Sequence, residues 1–158
     1  MKSQTHGSQY LLRAAVNRRP DLLCSALRAC GALGAREVVE WHSPLPKQYK
    51  EFRDGAAVRA LSLENRIKAP LAGFWPSRGP VWDALGTSSD GRPILVEAKA
   101  HIPEAVSRAK ASSTTSIKRI EKSLALARKH YTRKSEADWS APFYQYANGW
   151  LINSGFAS

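Results

Sequence analysis

These 158 residues suffice for one domain with a hydrophobic core and are few for two. The 24 Lys and Arg residues outnumber the 13 Asp and Glu residues, which gives a formal net charge of +11 and a pI near 10.1. Such an excess makes a polyanion the natural partner, either nucleic acid or an acidic membrane surface, although a protein with a basic surface and no such partner would show the same composition.

No stretch of the sequence approaches the roughly 20 apolar residues of a membrane span, and residues 1–12 lack the pattern of a signal peptide. Cys24 and Cys30 are the only cysteines, and on a helix they would lie on different faces, so we expect no disulfide between them. They also lack histidines at zinc-site spacing. We therefore expect no membrane partner and a reducing, cytoplasmic location.

The first third of the chain has helical patterning. We predict helices over residues 10–16 and 21–30. Pro20 would begin the second helix, and Asp21 in its first turn would suit the exposed amides there. These helices form an N-terminal segment, residues 1–35.

The remaining residues, 36–158, are predicted to form the core of the protein. A strand is predicted over residues 36–41, which are rich in β-branched side chains. Residues 48–63 are predicted to be helical, although Gly55 weakens the pattern.

Residues 81–87 and 93–101 are predicted to be the two strands of a hairpin, because Asp-Gly between apolar runs is a hairpin signal. A three-residue loop over 89–91 would place Gly91 where a left-handed conformation is needed. Counting outward from that loop sets Asp83 opposite Glu97.

The polar residues of this hairpin form a candidate phosphodiester site. Alternation puts Glu97 and Lys99 on one face, roughly 6 to 7 Å apart along the strand. Opposed carboxylates with Cβ atoms about 5 Å apart repel each other unless a cation lies between them, and such oxygen ligands suit Mg²⁺. Lys99 would orient the attacking water or stabilise the charge of the transition state. The alternative is a half-exposed hairpin with a surface cluster, since alternating polar residues usually mark a solvated face.

The segments GPVWD (79–83) and VEAK (96–99) together resemble the bipartite signature of the PD-(D/E)XK nuclease superfamily, in which an Asp ends one strand and E-x-K lies on the next. The longer run from Phe74 to Asn148 resembles an uncharacterised bacterial subgroup of that superfamily, and the resemblance covers most of the chain from about Trp41 onward. The proline that precedes the Asp in the signature is absent here, and Pro80 lies three positions upstream. That position varies widely in the superfamily.

The resemblance implies an α/β (α+β) fold with a restriction-endonuclease-like core, in which a small mixed β-sheet is flanked by helices. It makes Asp83, Glu97 and Ala98 the metal ligands and Lys99 the catalytic lysine. In that core a helix precedes a three-stranded meander, and members of the superfamily often add an acidic residue from this helix. Glu51 is our choice for that acid and Glu64 the reserve, although either is more often an ordinary exposed carboxylate.

Three functions compete at this point. The resemblance implies a nuclease that uses Mg²⁺, with Mn²⁺ as a substitute, to hydrolyse phosphodiester bonds of nucleic acid, and we expect the nucleic acid to be DNA. The alternative is a non-catalytic, basic nucleic-acid-binding domain derived from a nuclease fold. A third hypothesis is an interaction module whose basic face binds an acidic protein.

A clear helical pattern begins at residue 117, where apolar residues recur at spacings of three and four: Ile117, Ile120, Leu124, Ala127 and Tyr131. Between residues 105 and 134, nine Lys and Arg residues accompany one acid, Glu121. At about 100° per residue, four basic residues share a sector of about 60° away from that stripe: Lys118, Lys122, Lys129 and Arg133. Because nearly all of these charges are positive, we predict that this face contacts phosphate groups, and a solvated helix face is the alternative.

Residues 139–148 form a final aromatic segment that is predicted to be helical from Pro142. Only nine residues follow Gly149, which is too few for both a helix and a further core strand. We hypothesise that the sheet lacks its last strand, and that its exposed edge is labile or is filled by a partner chain, as in a homodimer.

Overall fold

The computed structural model describes residues 7–47, 50–67, 79–101, 103, 106, 111–131 and 139–140, with the backbone alone at 130 and 131. Of these, the residues within Met1–Ser62 and Val81–Ala100 form one compact unit, which we call the sheet unit. Those within Leu63–Pro80 and His101–Ser158 form a second, the helix unit. The N-terminal helices therefore belong to the same unit as the strands.

Two helices open the sheet unit, α1 (Ser8–Arg18) and α2 (Pro20–Ala29). Both predicted helices are confirmed. Pro20 occupies the first turn of α2, where its missing N–H costs no intrahelical hydrogen bond, and Asp21 lies in the same turn. Cys24 is buried, Cys30 is exposed and both are free thiols, as expected.

The first strand, β1 (Val39–Ser43), begins three residues later than predicted. The cause is a turn, because the Glu37 N–H donates to the Gly34 carbonyl oxygen at 3.1 Å. The Glu37 carbonyl in turn accepts from Arg28 Nη2 at 2.6 Å. These bonds use the backbone that the predicted strand would have needed.

The predicted helix over residues 48–63 is wrong in its first part. A short strand, β2 (Phe52–Arg53), precedes a shorter helix, α3 (Asp54–Ala60). Phe52 and Arg53 pair with residues about thirty positions away in the chain, in the strand β3 (Val81–Trp82). Local periodicity cannot register such a pairing, and tertiary context overrides helix propensity here.

The predicted hairpin is present as β4 (Ala84–Ser88) and β5 (Pro93–Val96). Its three-residue loop is confirmed: the Ser88 N–H donates to the Arg92 carbonyl at 2.9 Å, and Gly91 has a φ of 82°. A side chain at Gly91 would be strained at that φ. Arg92 forms ion pairs with both Asp90 and Glu37, which ties the hairpin to the turn before β1.

Strand β4 is the centre of a three-stranded antiparallel sheet with the order β1–β4–β5, and β2–β3 form a separate antiparallel ladder. The fold is therefore α+β. Every strand pair in the described part of the chain is antiparallel, so the expected mixed sheet is not found there. Residues 141–158, on which the predicted aromatic helix and the predicted loss of the last strand depend, lie outside the described residues, and the homodimer stays a prediction.

The core of the sheet unit lies between α1 and the sheet. Leu12 and Val16 of α1 are buried together with Ala84, the first residue of β4. Trp41, Val96 and Ala98 are among the partly buried side chains packed against this cluster. Helix α1 therefore packs directly against the start of β4 and the end of β5.

The helix unit contains α4 (Thr114–Tyr131). Ser113 caps its N-terminus, since Ser113 Oγ accepts from the Ser116 N–H at 3.1 Å. Three residues of the predicted apolar stripe are buried, Ile120, Leu124 and Ala127, whereas Ile117 is 39% exposed. The side chain of Tyr131 lies outside the described residues. Among the helices described, none is long and apolar enough to cross a membrane.

Candidate carboxylate and lysine site

Asp83 is the single residue between β3 and β4, where the chain changes from one ladder to the other. The register Ala84↔Val96 would set Asp83 opposite Glu97 if the ladder continued. Instead, the Asp83 N–H donates to the Val96 carbonyl at 3.0 Å, one residue out of step. The predicted register thus holds through the hairpin and slips at the aspartate itself.

The side chain of Asp83 replaces the missing ladder bond. The Ala98 N–H donates to Asp83 Oδ2 at 2.8 Å. A short carboxylate is well suited to this exchange because it competes with carbonyl groups for nearby N–H donors. The bond fixes the carboxylate of Asp83 against the segment that carries Glu97 and Lys99.

Glu97 and Lys99 lie just beyond β5, because the strand ends at Val96 and not at residue 101 as predicted. The Ala98 amide between them is bonded to a side chain rather than to a neighbouring strand, which accounts for the early end. Lys99 Nζ donates to Glu97 Oε1. The two side chains are on the same side of the segment, as alternation predicts, and are 19% and 22% exposed for Lys99 and Glu97.

Glu51 lies next to the β2–β3 ladder. That ladder pairs Phe52 with Trp82 and Arg53 with Val81. Glu51 directly precedes β2 and Asp83 directly follows β3, so both residues are at the same end of this antiparallel ladder. The sequence placed Glu51 on a helix, whereas the structure places it immediately before a strand. Glu64, the reserve acid, belongs to the helix unit.

The pKa of Glu97 reflects its burial and the charged groups around it. Partial burial raises the pKa of the Glu97 carboxyl, because the charged form loses solvation. The hydrogen bond from Lys99 opposes that increase, whereas the neighbouring carboxylates of Asp83 and Glu51 add to it. The carboxylates of Asp83 and Glu51 and the ammonium group of Lys99 are therefore close enough to Glu97 to act on its charge.

This region offers the oxygen ligands that a hard divalent cation prefers. Asp83, Glu97 and Glu51 offer carboxylate oxygens, and Ala98, assigned as a metal ligand from the resemblance, offers only its main-chain carbonyl. Within the described ranges, no three side chains of His, Cys, Asp or Glu lie close enough to hold a metal by themselves. Mg²⁺ needs no such set, since it keeps several waters and is held by one or two carboxylates. The residues present thus fit the implied ion.

The predicted basic face lies on α4. Lys118, Lys122 and Lys129 are exposed, and the buried Ile120 and Leu124 lie on another side of the helix. Arg133, the fourth predicted contact, lies outside the described residues.

The sequence reasoning missed one residue near Glu51. Gln9 Nε2, from α1, donates to Glu51 Oε1 at 2.6 Å. No spacing or composition signal connects two residues 42 positions apart.

Comparisons with known proteins found no matching family model, no matching characterised protein and no matching solved structure.

Proposed function

We propose that this protein is a metal-dependent nuclease that hydrolyses phosphodiester bonds of nucleic acid, with DNA as the expected substrate. The observation that supports it most is the contact set of Asp83, Glu97 and Lys99. An aspartate bonded to the Ala98 amide lies beside a partly buried glutamate, and that glutamate is bonded to the lysine two residues on. These are the residue types and the chain order of the superfamily that the sequence resembles.

A partly buried cluster of like charges is a feature of functional sites more than of stable surfaces. Asp83 and Glu97 would hold Mg²⁺ or Mn²⁺ together with the Ala98 carbonyl, and Glu51 would act on the ion through one of the waters that it keeps. When bound, such an ion polarises a phosphate group and lowers the pKa of a water molecule.

The protein's own groups have two further tasks. The ammonium of Lys99 would stabilise the negative charge that develops on the phosphate. Its bond to Glu97 holds it near the reacting group before substrate arrives, so less reorganisation is needed. The hydrogen bond from Ala98 keeps Asp83 from turning away from this pair.

The substrate class rests on charge. The net charge of +11 and the exposed lysines of α4 favour a polyanion. We assign Lys118, Lys122, Lys129 and Arg133 to contacts with phosphate groups.

A second candidate function is nucleic-acid binding without catalysis. The observation that favours it is the basic face of α4, which would bind phosphate groups with no metal ion and no contribution from the carboxylates. The two candidates differ in what they require of Glu97.

Supercoiled plasmid separates the two candidates. We expect nicking in Mn²⁺ or Mg²⁺, none in EDTA, and none with Glu97→Gln. Glu40→Gln is the matched control, because it removes an exposed carboxylate on β1 that is not assigned to the site, and it should cleave as the wild type does. Plasmid that is retarded in a gel but never nicked by the wild-type protein would replace the nuclease with the binding domain.

A further inference from the structure

Helix α1 reaches the carboxylate cluster through Gln9. The side chain of Gln9 is half-buried, and its amide donates to Glu51 Oε1 at 2.6 Å. Glu51 itself is exposed, so without a partner its side chain would be free to adopt several rotamers. The hydrogen bond selects one of them.

The backbone that carries Gln9 is firmly placed. Leu12 and Val16 follow Gln9 at helical spacing and are buried against Ala84, one residue from Asp83. Asn17 Nδ2 also donates to the Pro44 carbonyl at 2.9 Å. Helix α1 is therefore fixed to the same sheet that positions Asp83, and the position of Gln9 relative to the cluster is set by packing.

The chemistry of a glutamine suits this task. Its amide is neutral and donates an N–H, so it can orient Glu51 without neutralising it. A lysine or arginine at the same place would compensate the negative charge and compete with a bound cation. An amide leaves the charge of the carboxylates available to a metal ion.

We propose that Gln9 is a positioning residue of the carboxylate cluster: it holds the Glu51 carboxylate in one orientation, from which Glu51 can act, through a bound water, on the divalent cation that Asp83 and Glu97 would bind. This inference rests on the proposed function, since it assumes that the cluster binds a metal. It also makes the N-terminal helix a part of the site and not a separate appendage.

A double-mutant cycle on the full chain tests the proposal, with Mn²⁺ as the probe and its paramagnetic resonance signal as the readout. Gln9→Met keeps the length of the side chain and a good helix former but removes the donor. We expect it to weaken Mn²⁺ binding about tenfold, the lower end of the range for residues that orient a metal ligand. In a Glu51→Gln background the same change should have no further effect.

Arg13→Met is the matched control. Arg13 lies one helical turn after Gln9, and its side chain donates to the Pro46 carbonyl at 3.2 Å. The substitution therefore removes a contact of the same helix with a residue other than Glu51. It should leave Mn²⁺ affinity within about twofold of wild type, as a positioning role acting through Glu51 requires. In cleavage, the loss in Gln9→Met should be recovered at high Mn²⁺ concentration, whereas a general loss of folded protein would not be.

The outcomes separate this inference from the proposed function. If the wild type binds no Mn²⁺, the metal-dependent nuclease is overturned, and this inference with it. If the wild type binds Mn²⁺ but Gln9→Met binds equally well, or is weakened equally in both backgrounds, only the role of Gln9 is overturned.

Discussion

The carboxylate cluster of the sheet unit and the basic face of α4 hold their charges in opposite ways. In the cluster each acid has a defined partner: the Ala98 amide for Asp83, Lys99 for Glu97 and Gln9 for Glu51. On α4 the lysines are exposed to solvent. Like charges that are partly buried, as at Glu97, cost stability, whereas exposed like charges cost little. The carboxylates are therefore held together at some cost in stability, whereas the lysines of α4 are not.

The largest effect should come from removing a member of the cluster. We predict that Asp83→Asn, Glu97→Gln and Lys99→Ala each lower metal-dependent cleavage by about 10²-fold or more, because each removes a ligand or a charge at the reacting phosphate. Circular dichroism should show that the fold is retained. If any two of the three variants cleave at nearly wild-type rates, the site has been assigned to the wrong residues.

A change on α4 should act on binding and not on chemistry. Replacing Lys118, Lys122, Lys129 and Arg133 together by Gln should weaken binding to duplex DNA and flatten its dependence on salt. Each lost phosphate contact lowers the slope of log K against log salt by about 0.9. Fluorescence anisotropy between low and physiological salt measures the slope. An unchanged slope would show that this face is only solvated.

Rigidity of the sheet can be tested at Gly86, in the centre of β4. A Cβ there would lie 2.5 Å from Val39 Cγ1 and 2.9 Å from the Glu40 carbonyl oxygen. We predict that Gly86→Ala lowers the free energy of unfolding by about 1 to 3 kcal/mol, as overpacking does. Chemical denaturation measures the difference.

Gly55→Ala is the control for that substitution. Gly55 lies in α3, and a Cβ there would meet only Arg59 Nη1, at 3.4 Å. It should stabilise the protein by about 0.5 to 1 kcal/mol, because alanine is the better helix former. Equal effects at the two glycines would contradict the close packing of β1 on β4.

The smallest effect concerns the metal-free cluster. Because the folded pKa of Glu97 is raised, its contribution to stability is fully present below the unfolded pKa and is lost as pH rises through the folded pKa. Without divalent ions, the difference between the thermal midpoint of Glu97→Gln and that of the wild type should therefore increase as the pH rises through the folded pKa of Glu97. Asp83→Asn, which keeps an acceptor for the Ala98 amide, should not lower the midpoint at neutral pH.

Added Mg²⁺ should make the wild type more stable than Glu97→Gln, since the ion binds only the folded state of the wild type and raises its thermal midpoint. A relative midpoint of Glu97→Gln that falls with increasing pH would show that the Lys99 bond outweighs the burial of the carboxyl.

Some elements were predictable because their signals are local. Helix α4 follows from apolar residues at spacings of three and four, although it begins at Thr114, before the predicted start at residue 117. Helices α1 and α2 follow from local helical patterning, and Pro20 marks the start of α2. The loop of the hairpin follows from Asp90 and Gly91, whose conformational preferences act within a few residues. The same local count gave the register of β4 and β5, and with it the neighbourhood of Asp83 and Glu97.

Other features depend on contacts across the chain. Strand β2 exists because Phe52 pairs with Trp82, and Glu51 and Asp83 are at the same end of that ladder. The early end of β5 depends on a bond from Ala98 to an aspartate fifteen residues earlier. No periodicity encodes these pairings, because each is decided by which segments pack together.

The sequence by itself determined the residue types of the site, the hairpin that lies between Asp83 and Glu97, and the excess of positive charge. Only the tertiary structure decided that the ladder slips at Asp83, that Glu51 and Asp83 are at the same end of the β2–β3 ladder, and that Gln9 of α1 donates to Glu51. The physical reason is the distance along the sequence over which each interaction acts. Helix periodicity and turn geometry act over a few residues, whereas the hydrogen bonds that assemble the cluster join residues up to 42 positions apart.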